Sequence, residues 1–279
     1  MKDPGILYLT SFNEELYKAT GRKLLKSFLK FNIEGNLFVG YENALEKTII
    51  KQLNAFWETS PTEENTKKTI IYKSLEKNKL LIDWLYANED IIPRYLGGKA
   101  NPCTCSKNPF EKSDTKHKKG CTFTWWNRNC SRWFRKIVVL NLVKNMDYEY
   151  LIWLDSDCLF INNISYKIIN KLFAEKDYFY IRGSFRPVDE TGVFGIRLNT
   201  AGKDFITHLT NRYLTKDYRK DVRWDDSYQL MMTRKHTQIL QKDILPKKSK
   251  LSCVIGKSEL RKYIAHNKGT HGRILGIMK

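Results

Sequence analysis

Apolar positions along the chain switch between two periods. Residues 6–10, Ile-Leu-Tyr-Leu-Thr, form a short apolar run, the pattern of a strand buried on both faces. The next residues, Ser11-Phe12-Asn13-Glu14, have the Ser-x-x-Glu spacing of a helix capping box. A strand feeding a helix is predicted, with Leu24, Leu25, Phe28 and Leu29 at helical spacing and lysines on the opposite face. Residues 36–41 predict a second strand, and Leu45, Ile49, Leu53 and Phe56 a second helix. Further on, Phe134, Ile137, Val138 and Leu142 mark a helix that leads through Asp147 into an apolar strand over 150–154. A helix over 166–173 and a strand over 178–181 follow, and Gly192 to Leu198 reads as one more strand. Strand, helix, strand, helix is the order of a mostly parallel sheet flanked by helices, so an α/β fold is expected.

The segment 101–130 breaks this rhythm. It mixes Pro102, Pro109 and Gly120 with cysteines and lysines and has little apolar periodicity, so it reads as a Cys- and Lys-rich insertion or long loop within one domain spanning 1–279. Cys103, Cys105, Cys121 and Cys130, with His117 between them, form a candidate four-ligand structural Zn²⁺ site. Loosely packed free thiols are the alternative reading.

The chain has 279 residues, a hydrophobic share of 42% and a formal net charge of +19. That hydrophobic share can fill a core, which excludes a disordered basic tail. No apolar run approaches the roughly 18 residues of a membrane span, and the N-terminal apolar run is too short for a signal-peptide core. Cytoplasmic residence, with no transmembrane segment, is therefore expected. The lysines are scattered from Lys18 to Lys279, which suits a solvated surface or peripheral association with an anionic surface.

The chemistry concentrates in Leu151-Ile152-Trp153-Leu154-Asp155-Ser156-Asp157-Cys158. Two carboxylates one residue apart emerge where a parallel sheet presents its ligands. Packed together at the end of a buried strand they repel one another, and a hard cation relieves that cost. Asp155 and Asp157 are thus candidate ligands for Mn²⁺ or Mg²⁺ bridged to a diphosphate. At the end of the first strand, Thr10, Ser11 and Asn13 are candidates for contact with a nucleotide, although capping alone would explain Ser11.

Taken with Arg135-Lys136 before it, Glu190-Thr191-Gly192 and Trp224-Asp225-Asp226 after it, and His266-Asn267-Lys268-Gly269 near the end, this acidic motif resembles that of the metal-dependent GT-A glycosyltransferases. The resemblance covers roughly residues 6–279 in the order of elements and is specific at these short motifs. It implies a GT-A-like, Rossmann-like domain that moves a sugar from a nucleotide-sugar donor, most plausibly a UDP-sugar, to a hydroxyl of a glycan or glycoconjugate. His266, or alternatively His271, would be the third metal ligand. Arg135, Lys136, Ser156, Lys268 and Gly269 would lie on the donor side. Asp226, with Asp225 beside it, resembles the acidic base motif of inverting members, while an N-cap explains Asp226 equally well. Glu190 would serve as base or hold sugar or acceptor hydroxyls.

Two rival functions differ in what they require. A sugar nucleotidyltransferase would carry a glycine-rich basic loop after its first strand, and residues 10–17 lack one. A basic zinc-containing nucleic-acid-binding protein would have no need of Asp155, so nucleic acid is not the expected partner.

Overall fold

The computed structural model describes residues 5–42, 69–88, 130–182, 188–221, 223–245 and 255–266. Among them seven strands form one sheet in the order β3-β2-β1-β4-β7-β6-β8: β1 (Ile6–Phe12), β2 (Asn36–Tyr41), β3 (Ile70–Ser74), β4 (Tyr150–Leu154), β6 (Tyr178–Ile181), β7 (Glu190–Arg197) and β8 (Gln241–Asp243). Strands β1 to β4 run parallel, and β7 lies antiparallel between β4 and β6. Two short strands, β5 (Cys158–Phe160) and β9 (Ile264–His266), pair antiparallel in a separate ribbon.

Alternation along the strands divides the core into two layers. Ile6, Tyr8, Ile152, Leu154 and Val193 face one layer, which is covered by α2 (Arg22–Lys30), α5 (Tyr166–Phe173) and the β5–β9 ribbon. Leu7, Leu9, Leu151, Trp153 and Phe194 face the other, covered by α3 (Lys79–Ala87), α4 (Cys130–Val143), α6 (Thr200–Leu214) and α7 (Asp226–His236). All five residues of β4 are buried, as a strand sandwiched between two helical layers must be. The predicted helix-flanked, mostly parallel sheet is the architecture observed.

The differences are local. Ser11 does not cap the first helix, because β1 continues through Phe12, which pairs with Tyr41. The cap is Asn13, whose side chain accepts from the Leu16 N–H at 2.9 Å and starts the short turn α1 (Glu14–Leu16). Arg135 and Lys136 lie inside α4, not at its start, and Cys130 opens that helix with its thiol buried in the core. Strand β7 begins at Glu190, two residues earlier than the pattern indicated. The predicted helix at 45–56 and the insertion at 101–129 lie outside the described residues, as do Cys103, Cys105, Cys121, Lys268, Gly269 and His271.

Helix α6 returns closely over the end of β7. Asn199 caps it by accepting from the Gly202 N–H at 3.0 Å, and a Cβ at Gly202 would meet the Arg197 carbonyl oxygen at 1.8 Å. Backbone cannot yield as a flexible side chain can. Gly202→Ala is therefore expected to lower stability by about 3 kcal/mol, the upper end of overpacking costs, as read from the urea midpoint.

Candidate active site

The chain moves from β1 outward to β2 and β3, then returns to place β4 on the other side of β1. That reversal opens a crevice beyond the carboxyl ends of β1 and β4, where α/β sheets bind ligands. Asp155 follows β4 directly. Because β7 runs the opposite way, its first residues, Glu190 to Gly192, reach the same end of the sheet. The Asp155 N–H donates to the Gly192 carbonyl at 2.8 Å.

The two carboxylates of the acidic motif have different partners. Asp155 turns toward α4, where its Oδ1 receives the Trp153 Nε1–H at 2.7 Å and lies 3.1 Å from Lys136 Nζ. Asp157 turns toward the ribbon, where its Oδ1 is 3.0 Å from His266 Nε2. Pairing of Cys158 with His266 across β5 and β9 makes that contact possible. Asp157 Oδ, Cys158 Sγ and a His266 ring nitrogen all lie within 4.8 Å of one another, the one such metal-ligating group found among the described residues. A Cβ at Gly192 would press on Glu190 Oε1 at 3.3 Å and His266 Cε1 at 3.4 Å, so the glycine leaves room beside these donors. An oxygen, a nitrogen and a sulfur set this close can hold a divalent cation. Asp155 lies outside that group, beside Lys136.

Lys136 is 4% exposed. Its ammonium donates to the Thr191 carbonyl at 2.9 Å and to Asp226 Oδ2 at 2.5 Å, and it sits 4.9 Å from the Trp153 ring centroid and 5.7 Å from that of Phe194. Burial pulls its pKa down, but Asp155 and Asp226 outweigh burial and leave it above the ordinary lysine value. Burial likewise raises Asp155 against the pull of Lys136. The lysine is thus enclosed by protein acceptors and rings, not presented to a donor diphosphate. Arg135, read as its companion, forks onto Glu42 at the end of β2.

Asp226 is held at Oδ2 by Lys136, accepts the Ser227 N–H at Oδ1 at 2.9 Å, and is 2% exposed. The cap of α7 is Asp225, which accepts from the Tyr228 N–H and pairs with Arg223. Both acids therefore have structural partners. Glu190 accepts from the Gly192 N–H at 3.2 Å and shares the space at Gly192 with His266.

On the nucleotide side, Thr10 is fully buried and its hydroxyl has no hydrogen-bond partner among the described residues. Ser11 and Asn13 are half-buried at the strand end. Ser156 receives the Thr20 hydroxyl at 3.1 Å, tying the acidic turn to the segment before α2.

The motif reading missed the enclosure of Lys136 and the position of Cys158. Lys136 did leave a trace, as a lysine set against the apolar run Ile137-Val138-Val139-Leu140 in a helix with little polar surface. Cys158 left none, because a cysteine in an apolar strand reads as core.

No protein-family model matches this chain, and no curated protein matches it by sequence. The solved structure of mouse xyloside xylosyltransferase 1 in its apo form superposes with a TM-score of 0.51 at 13% identity, covering 86% of this chain and 85% of that one. The glycosyltransferase GlyE of Streptococcus pneumoniae superposes at 0.49 with 13% identity, over 86% of this chain and 45% of its own. This chain shares the xylosyltransferase's fold. At such identities the likeness is one of architecture.

Removing Lys136 would leave two carboxylates at the sheet end without their cation. Lys136→Met is expected to cost about 3–5 kcal/mol, and adding Asp226→Asn to recover part of it, in urea denaturation of the single and double variants. The raised lysine pKa sets the pH sense: its contribution is complete below pH 10.5 and is lost as pH climbs through the higher folded value.

Proposed function

We propose that this protein transfers a sugar from a nucleotide-sugar donor, a UDP-sugar first among the choices, to a hydroxyl of a glycan or glycoconjugate, with a divalent cation held by Asp157 and His266. One observation carries the reading. A histidine 109 residues beyond the acidic motif folds back onto its second carboxylate at 3.0 Å, in the crevice where an α/β sheet takes a nucleotide. The xylosyltransferase fold supports it.

The chain's own residues would divide the work. Ser11 and Asn13 lie where the nucleoside would enter. Asp157 and His266 would hold the cation, which would supply charge to a departing diphosphate. Glu190, beside Gly192, is the acid placed to hold a hydroxyl of the transferred sugar or of the acceptor. Lys136 would keep Asp155 and Asp226 fixed behind that site. No helix among the described residues is long and apolar enough to cross a membrane, and the acceptor chemistry proposed here does not require one that does.

The test is binding and hydrolysis across UDP-, GDP-, CMP- and dTDP-sugars with and without added Mn²⁺. One nucleotide class should bind in a metal-dependent way. Asp157→Ala should weaken that binding at least tenfold, since losing a ligand costs no less than the roughly 10–100-fold of losing a group that only orients one. If wild-type protein binds no nucleotide sugar with any divalent ion, the proposal is wrong.

A further inference from the structure

We infer that Cys158 is a third protein donor of this centre, which therefore selects a thiophilic divalent cation of the Zn²⁺ class over Mg²⁺. The inference rests on the reading of Asp157 and His266 as metal ligands and adds to it the identity of the ion.

The strand register argues first. Cys158 and His266 are direct partners across β5 and β9, so their side chains stand on the same face of the ribbon. Sulfur, ring nitrogen and carboxylate oxygen already lie within 4.8 Å of one another, with nitrogen and oxygen 3.0 Å apart. Around one tetrahedral zinc, bonds of about 2.0 Å to nitrogen and oxygen and about 2.3 Å to sulfur place neighbouring donors about 3.3–3.6 Å apart. The thiol needs to close by little more than 1 Å, roughly the reach of a side-chain adjustment.

The thiol is lightly committed where it is. Its contact is donation to the Gly192 carbonyl at 3.4 Å, a weak bond that is cheap to exchange. On binding, the Sγ–H bond breaks, its proton leaves to solvent and the sulfur pair forms the bond to the ion, so one proton is released per cation.

The donor types argue the same way. Mg²⁺ takes oxygen ligands, whereas a thiolate suits softer ions such as zinc. One oxygen, one nitrogen and one sulfur with an open position are a donor set for zinc.

The full chain, stripped with a chelator, should be titrated with Co²⁺ and followed by absorption. The wild type should show a near-ultraviolet thiolate-to-cobalt charge-transfer band. It should weaken in Cys158→Ser and also in His266→Gln, which keeps the test usable if the serine variant fails to fold by circular dichroism. Zn²⁺ should displace the Co²⁺, Mg²⁺ in about hundredfold excess should not, and the Zn²⁺ affinity of Cys158→Ser should fall at least about tenfold.

Bound Co²⁺ with ligand-field bands and no charge-transfer band would overturn the role of Cys158 while leaving the metal reading intact. A band undiminished in both variants would assign the thiolate to the other five of the six cysteines and overturn it equally. If neither Co²⁺ nor Mn²⁺ binds the wild type, both readings fall.

Discussion

A single buried ammonium ties together three parts of the chain that are far apart in sequence. Lys136 comes from a helix of the second core layer, Asp155 from the turn after β4, and Asp226 from the first turn of α7, with the Thr191 carbonyl of β7 as a further acceptor. A charge taken out of water needs partners close at hand, and here those partners lie at the tips of the elements that border the crevice. The position of each tip therefore follows from satisfying one cation. The Trp153 and Phe194 rings close the remaining side of the ammonium.

This arrangement divides the acidic motif. Alternation makes successive residues leave a strand in opposite directions, and a two-residue step through a turn sends Asp155 toward one core layer and Asp157 toward the ribbon over the other. The first acid meets Lys136 and the second faces His266 across 3.0 Å, their side chains 34% and 29% exposed. The two acids thus stand in different electrostatic surroundings, Asp155 beside the Lys136 ammonium and Asp157 beside His266 and Cys158.

Much of the architecture was legible because it depends on local pattern. Both faces of β1 and β4 are buried, so apolar runs identified them, and the 3.6-residue spacing of Leu24, Leu25, Phe28 and Leu29 identified α2. Boundaries shifted where pairing overrode local preference: Ser11 has the chemistry of a cap, yet hydrogen bonding of Phe12 opposite Tyr41 keeps it in the strand, and Asn13 caps instead. Strand β3, helices α3 and α6 and the short strands β5, β8 and β9 were not anticipated, the short strands because three residues carry too little pattern to show a period.

The sequence by itself determined the α/β class, the course of the main strands and helices, and the fact that acids emerge at the end of a buried strand, since each follows from periodicity and burial within a short window. The family resemblance, beyond the residues themselves, brought His266 forward as a partner for the acidic motif, with His271 as the alternative. Only the tertiary structure decided which acid meets that histidine, that Lys136 faces inward to Asp155 and Asp226, and that Cys158 stands beside Asp157 and His266. Those facts depend on contacts between residues 19 to 109 positions apart, and no spacing along the chain encodes the direction in which a side chain meets a neighbour that distant.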